Sequence, residues 1–190
     1  IDEYVVQSMT EFDGIEMSSV TKDGLKLGDD EKKSLQKMKE EFKPVITWMK
    51  EVYGDRVEKV QVTNRLTKSP CAVVTGQYGW SSNMQRVMKG ATLSNSQMAM
   101  GAKKILEINP RHPIIVSLKA KIDDAGDDAS IKDLALLLLD SASLQAGFTV
   151  EDYADFSGRM TRVVSAGLDL DPNAEIPEEP EDEPTDEEDE

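Results

Sequence analysis

The feature that most restricts how this 190-residue chain can fold is the run of residues 130–146, SIKDLALLLLDSASLQA. If this run is helical, its apolar residues point in almost every direction around the axis. A surface helix keeps one apolar stripe, whereas a helix that is apolar on most sides must be covered on several sides. A chain this short has little other material to offer. We therefore expect a second copy of the chain to supply part of the cover, and self-association is the first functional hypothesis.

The net charge of −15 is distributed very unevenly along the chain. Twelve of the 37 acidic residues lie in residues 171–190, which contain no Lys or Arg, and the other 25 nearly balance the 22 Lys and Arg. Because no basic cluster exceeds short pairs such as Lys32 with Lys33, we expect no nucleic-acid partner. No uncharged apolar run approaches bilayer-spanning length, so we expect no membrane insertion either.

Turn signals and composition divide the chain into three parts. Residues 1–27 hold only short strand-like pieces and are predicted to be the end of a preceding domain and its connection. Residues 28–170 are predicted to form the main domain. Residues 171–190 have too few apolar groups to offset the entropy of ordering, so they are predicted to be a disordered acidic tail. Because the sequence starts at Ile1 without an initiator Met, we expect it to be part of a longer protein.

The hydrophobic periodicity predicts several helices and a small sheet, an α/β chain of the α+β kind. The longest helical pattern runs from Asp29 to Gly54, with a kink expected at Pro44 because proline lacks an amide donor. Strands are predicted at residues 57–63 and 71–75. The second strand is apolar on both faces and is therefore expected to be the more central one. Further helices are predicted after Gly79 and over residues 113–122, 130–146 and 151–168, and an extended piece is predicted around residues 105–109.

The chain offers little for catalysis or metal binding. Its single cysteine, Cys71, lies in the apolar run CAVV and is more typical of a buried hydrophobe than of a nucleophile. One histidine, His112, gives no triad arrangement, and the acidic loop at residues 123–128 lacks the spacing of a calcium loop. No phosphate-binding loop is present. We therefore predict no catalytic residues, no metal ligands and no enzymatic activity for this chain.

Methionines surround the tryptophan at position 80. Spacing alone favours a packed core for them, because Met and Trp at helical spacing are usually buried. The alternative is an adaptable surface for varied apolar partners, since the methionines continue into the polar residues 92–103. Residues 92–103 are expected to be mobile. The residues concerned are Trp80, Met84, Met88, Met98 and Met100.

Six motifs, spread over about nine tenths of the chain, make it closely similar to the carboxy-terminal part of the heat shock protein 90 (Hsp90) chaperones. The lone cysteine in SPCA and the acidic tail resemble the endoplasmic-reticulum branch of that family. The end of the chain carries neither KDEL nor MEEVD, and residues 90–100 depart from the commoner pattern. The motifs are MTEFDG (9–14), VTKDGL (20–25), NRLTKSPC (64–71), QYGWSSNMQRVM (77–88), EINPRHP (107–113) and AGF (146–148).

The resemblance implies a dimeric, ATP-driven chaperone whose nucleotide site lies in another domain. It assigns ATP and Mg²⁺ to the full-length protein and no cofactor to this chain. It implies that the last two helices pack with their mates into a four-helix bundle, and that Trp80 and the methionines face client proteins. The partners would be a second copy and clients, in the endoplasmic-reticulum lumen or, alternatively, the cytoplasm. The expected bundle residues are Ile131, Leu134, Leu138, Ala142, Phe156, Met160, Val163 and Val164.

A different function remains open beside the dimerisation domain. The chain would then act as a stand-alone binding module that holds unfolded or partly folded proteins through its Trp and Met surface. Substitution of Trp80 and Met84 separates this hypothesis from a role in dimerisation alone.

Overall fold

The computed structural model describes residues 9–23, 29–76, 79–91, 104–125 and 128–171. Within these ranges the chain forms six α-helices, one short 3-10 helix and five strands, which confirms the predicted α+β class. None of these helices is both long and apolar enough to cross a bilayer. In chain order the elements are β1 (Glu11–Phe12), β2 (Ile15–Glu16), α1 (Asp29–Glu41), α2 (Lys43–Tyr53), the 3-10 helix (Gly54–Arg56), β3 (Lys59–Val62), β4 (Cys71–Thr75), α3 (Ser82–Ala91), β5 (Lys104–Ile108), α4 (Pro113–Ala125), α5 (Ala129–Gln145) and α6 (Tyr153–Gly167).

The main sheet has three strands in the order β3-β5-β4. The central strand β5 runs parallel to β3, with Leu106 opposite Val60, and antiparallel to β4, with Leu106 also opposite Val73. The prediction that the strand at residues 71–75 is the more central one was wrong. It is an edge strand whose apolar character has two other causes: α5 packs against it, and a parallel bridge from Lys22 to Thr75 covers its end.

Residues 11–16 form a separate two-stranded hairpin. Its turn is the predicted Asp13-Gly14, and both residues have positive φ angles, 53° and 75°. Asp and Gly are the residue types that this left-handed turn conformation favours. Phe12 and Ile15 pair across the hairpin and are both exposed, so it stands outside the main core.

The long helix predicted from residue 29 onward is interrupted near Pro44, as the missing amide donor led us to expect. The first helix ends at Glu41, Phe42 adopts φ −93° and ψ 4°, and α2 begins at Lys43 with Pro44 in its first turn. Phe42 is buried at this break. The second helix then ends at Gly54, as predicted.

The apolar core lies between the sheet and a layer formed by α2 and α5, which also contact each other. Met49 and Tyr53 of α2 are buried there, and the Tyr53 hydroxyl donates a hydrogen bond to the Ala135 carbonyl of α5 at 3.0 Å. Burial raises the pKa of Tyr53, so this hydroxyl remains a donor. This hydrogen bond helps to set the position of α5 along α2.

Several predictions concern residues outside the described ranges. These are the strand-like piece predicted at residues 4–9, of which only Met9 is described, the mobility of residues 92–103, and the disorder of residues 171–190, of which only Asp171 is described. The division of the chain into residues 1–27, 28–170 and 171–190 stays a prediction.

Candidate functional site

The helix α5 has well-formed ends that set its position. The Asp128 carboxylate accepts a hydrogen bond from the Ser130 amide at 2.7 Å, which caps the first turn and lowers the pKa of Asp128. At the other end Gly147 has φ +83°, and the Phe148 amide donates to the Ser143 carbonyl at 2.9 Å. A Cβ at Gly147 would lie 2.9 Å from the Ser82 Oγ, so the α5 terminus packs closely against the start of α3.

The structure resolves which sides of the leucine-rich helix face the chain's own core. Ile131, Ala135, Leu139 and Ala142 are buried in it. Two of these, Ile131 and Ala142, belong to the predicted bundle set, and their burial within one chain leaves them little surface for a second copy. Leu136 and Leu138 are partly buried against the same core, whereas Leu134 and Leu144 remain exposed.

The helix α6 packs mainly against α5 and runs antiparallel to it. Its first turn is capped by Asp152, whose carboxylate accepts from the Asp155 amide at 2.9 Å. Met160 and Val164 of α6, and Leu168 directly after its last residue, are 43%, 51% and 64% exposed, and their spacing of four residues places them on one side. We call these three residues the α6 strip. Phe156 and Val163 lie beside it and are partly buried.

Arg159 is the only buried residue of α6. Its guanidinium donates to the Asp140 carboxylate of α5, with 2.7 Å from Nη2 to Oδ2, and it also pairs with Asp155. The other Asp140 oxygen accepts from Arg56, which ends the 3-10 helix. The side chain of Asp140 is only 1% exposed. These three residues, Arg56, Asp140 and Arg159, form an ion triad that joins three elements, and the sequence analysis did not identify it.

A second α5–α6 ion pair lies nearer the surface. Arg162 donates to both oxygens of Asp133, at 2.6 and 2.9 Å, in the two-pronged geometry that arginine and carboxylate favour. This hydrogen bonding raises the pKa of Arg162. The Arg162 and Asp133 side chains are both more exposed than those of Arg159 and Asp140, so solvent screens this pair more than the buried triad.

The predicted client-contact residues divide between buried and accessible positions. Trp80 is partly exposed and lies two residues before α3, so it is not part of the helical stripe that the sequence predicted. Met84 is buried, and its amide donates to the Ser81 Oγ at 3.1 Å. Val87, one turn further along α3, is exposed. The side chain of Met88 and residues 98 and 100 lie outside the described part of the chain.

A cavity of about 330 Å³ lies between β4, the turn after α5 and the segment before α3. Its lining is mainly apolar, with Leu66, Val74, Ala142 and Phe148 among the contributing residues. Ser81 and Ser82 also line it, which places the cavity next to the segment that carries Trp80.

The single cysteine is buried in the core, as predicted. Burial raises the pKa of the Cys71 thiol to about 12, so the thiol stays protonated and is a poor nucleophile. Among the residues that the structure describes, no group of three His, Cys, Asp or Glu side chains is placed to hold a metal ion.

Comparison with known proteins agrees with the motifs. The chain matches the family described as Hsp90 protein over residues 1–190. It is 45% identical over 186 residues to a human protein named putative heat shock protein HSP 90-beta-3, a match that covers 96% of this chain and 31% of that protein. It is 41% identical over 184 residues to a barley (Hordeum vulgare) endoplasmin homolog, covering 95% of this chain and 22% of that protein. The chain thus spans less than a third of the length of either relative, and it belongs to the Hsp90 family.

Proposed function

We propose that this chain is the carboxy-terminal homodimerisation and client-contact domain of an ATP-dependent Hsp90 chaperone. The ATPase activity belongs to another part of the full-length protein, and this domain holds two subunits together while it contacts folding clients. Membership of the Hsp90 family supports the chaperone role.

One observation carries the dimerisation proposal: α6 exposes its apolar side chains and buries an arginine. A helix in a small domain normally gains stability by burying an apolar face. Here the apolar core contains no α6 residue, although every residue of α6 is described. The α6 strip is therefore available to another surface, and Leu134 and Leu144 extend the apolar character onto α5.

A second copy is the partner that this surface fits best. The strip runs along an antiparallel helix pair, so two copies related by a two-fold axis would form four packed helices. Each subunit would then cover the other's strip, and covering the exposed half of Val164 contributes about 1 kcal/mol per subunit. A stable interface of this kind buries at least about 1,200 Å² in total.

Sedimentation equilibrium of matched valine variants tests this proposal. Val164→Glu places a charge in the α6 strip, and we expect it to be monomeric where the parent is dimeric, because the carboxylate would be buried without a partner. Val116→Glu is the control, since Val116 is 50% exposed on α4, close to the 51% of Val164. A Val164→Glu variant as dimeric as Val116→Glu would exclude the strip from the interface.

For client contact we propose Trp80, just before α3, together with Val87 within it, because both side chains are accessible. Met84 is buried, and its amide donates a hydrogen bond to Ser81, the residue after Trp80. A destabilised client protein should bind less tightly to Trp80→Ala and Val87→Ala than to the parent, whereas Ile114→Ala on the exposed face of α4 should bind normally. Unchanged binding by both α3-region variants would remove them from the client site.

The same assay in the Val164→Glu background separates dimer function from the stand-alone module. If the chaperone acts through two clamped subunits, the monomeric variant should bind clients more weakly than the parent. For location we propose the endoplasmic-reticulum lumen, with the cytoplasm as the alternative, supported by the similarity to the barley endoplasmin homolog. Imaging of a tagged full-length protein distinguishes the two compartments.

A further inference from the structure

No side chain of α6 belongs to the apolar core, and the buried residue of this helix is the charged Arg159. Arg159 is 3% exposed and points toward Asp140, while the α6 strip lies on another side of the same helix. At 100° per residue, Met160 lies about 100° and Val164 about 140° around the axis from Arg159. A rotation of α6 that withdrew Arg159 from Asp140 would therefore also turn the strip away from its present direction.

Asp140 connects this orientation to the body of the domain. Its two carboxylate oxygens are divided between Arg159 of α6 and Arg56 of the 3-10 helix. Arg56 ends the 3-10 helix that directly follows α2, and Met49 and Tyr53 of α2 are buried in the core. The Asp140 carboxylate of α5 therefore connects α6, through Arg159, to the segment next to the core, through Arg56.

Charge pairs of this kind specify geometry better than they stabilise a fold. Burying two charges costs nearly as much free energy as their attraction returns, so a buried ion pair is weak support for stability. Its hydrogen bonds are directional, however, and arginine can satisfy them in only a few orientations. Directional bonds of this kind limit the rotation of α6 about its axis more than the apolar contacts of partly buried Phe156 and Val163 do.

We propose that Asp140 and Arg159 are positioning residues for self-association: the triad holds α6 at the rotation that presents the α6 strip to the second copy. The inference rests on the proposed dimerisation. It adds that buried polar residues, which the second copy does not contact, determine which side of α6 forms the interface.

The test compares the dimer dissociation constants of the parent, Asp140→Asn and Asp133→Asn by sedimentation equilibrium. Asp140→Asn keeps the shape of the side chain and removes the charge that pairs with both arginines. We expect at least a tenfold weaker dimer for it. Asp133→Asn makes the same chemical change in the solvent-screened pair with Arg162, and we expect less than a threefold change.

A second measurement separates positioning from general loss of structure. Hydrogen exchange is followed in each variant within the monomeric Val164→Glu background. A positioning role predicts faster exchange in α6 and unchanged exchange in α2 and β5. If Asp140→Asn weakens the dimer and also speeds exchange throughout the core to a matching degree, Asp140 only stabilises the fold and the proposal fails.

Arg159→Met provides an independent variant if Asp140→Asn does not fold, because it leaves Asp140 paired with Arg56. It should also weaken the dimer at least tenfold while α2 and β5 exchange as in the parent. Tight dimers of a folded Arg159→Met variant would overturn the inference, and so would unfolding of both variants. A parent chain that is monomeric at every concentration would instead refute the proposed dimerisation itself.

Discussion

Two leucines of α5 provide a matched test of which side of this helix belongs to the chain's own core. Leu139 is 1% exposed and Leu144 is 46% exposed, although both lie in the same apolar helix. Leu139→Ala should strongly lower the free energy of unfolding of the single chain, and Leu144→Ala should hardly change it. The comparison is made in the Val164→Glu background so that association does not contribute.

The expected size of the Leu139 effect follows from its burial. Shortening leucine to alanine removes three carbon atoms from the core, which costs about 2.4 kcal/mol in transfer free energy. Leu139 packs against the core formed by α2 and the sheet, so a cavity should remain and raise the total to about 3–4 kcal/mol. For Leu144 the side chain already contacts water, and we expect a change below about 0.5 kcal/mol.

Urea unfolding followed by circular dichroism measures both changes. With a slope of about 2 kcal/mol per molar urea, Leu139→Ala should lower the midpoint by about 1.5–2 M. Equal effects of the two substitutions would refute the orientation of α5. A larger effect at Leu144 would place the core on the opposite side of the helix.

Two further predictions concern the end of α5 and the buried thiol. Gly147→Ala should lower the free energy of unfolding by about 1–2 kcal/mol, because φ is +83° there and the new Cβ would lie 2.9 Å from the Ser82 Oγ. Adding Ser82→Gly removes the close contact but not the unfavourable φ angle, so it should restore only part of the lost stability. Urea unfolding measures both changes. For Cys71, burial raises the pKa from 9.0 to about 12, so folding favours the protonated thiol. The stability that this provides is complete below about pH 9 and falls by up to about 1.4 kcal/mol per pH unit as the pH rises toward 12. Cys71→Ala should remove this slope between pH 9 and 10, and an unchanged slope would show that another group is responsible.

The sequence predicted the helices well because their periodicity is strong and their ends are marked. Residues 130–146 and 151–168 became Ala129–Gln145 and Tyr153–Gly167, with Asp128 and Asp152 as caps. The order of the strands in the sheet was harder to predict from the sequence. The apolar run CAVVT suggested a central strand, but a helix and a neighbouring segment can bury an edge strand equally well.

Periodicity could not assign the sides of α5, because apolar residues surround it and no polar face gives a direction. The ion triad was not predicted, because helical periodicity does not show which charged residues of two helices pair with each other. The sequence nevertheless indicated that Arg159 is buried, because it lies three residues after Phe156 and four before Val163, at the spacing of side chains on one side of a helix. An arginine at such a position requires a buried carboxylate, and Asp140, directly after four leucines, is a suitable candidate.

The most direct test of the central claim is a distance measured between two copies of α6 by double electron–electron resonance. A nitroxide is attached at Thr161→Cys, an exposed position at the border of the α6 strip, while buried Cys71 should remain unlabelled. If α6 packs with its mate, the labels should lie within a few helix-packing distances, roughly 20–30 Å. A label at Ser117→Cys on α4 should give a longer distance, and Val164→Glu should abolish both signals. The absence of a dipolar signal from Thr161→Cys, or a shorter distance from Ser117→Cys, would contradict dimerisation through α6.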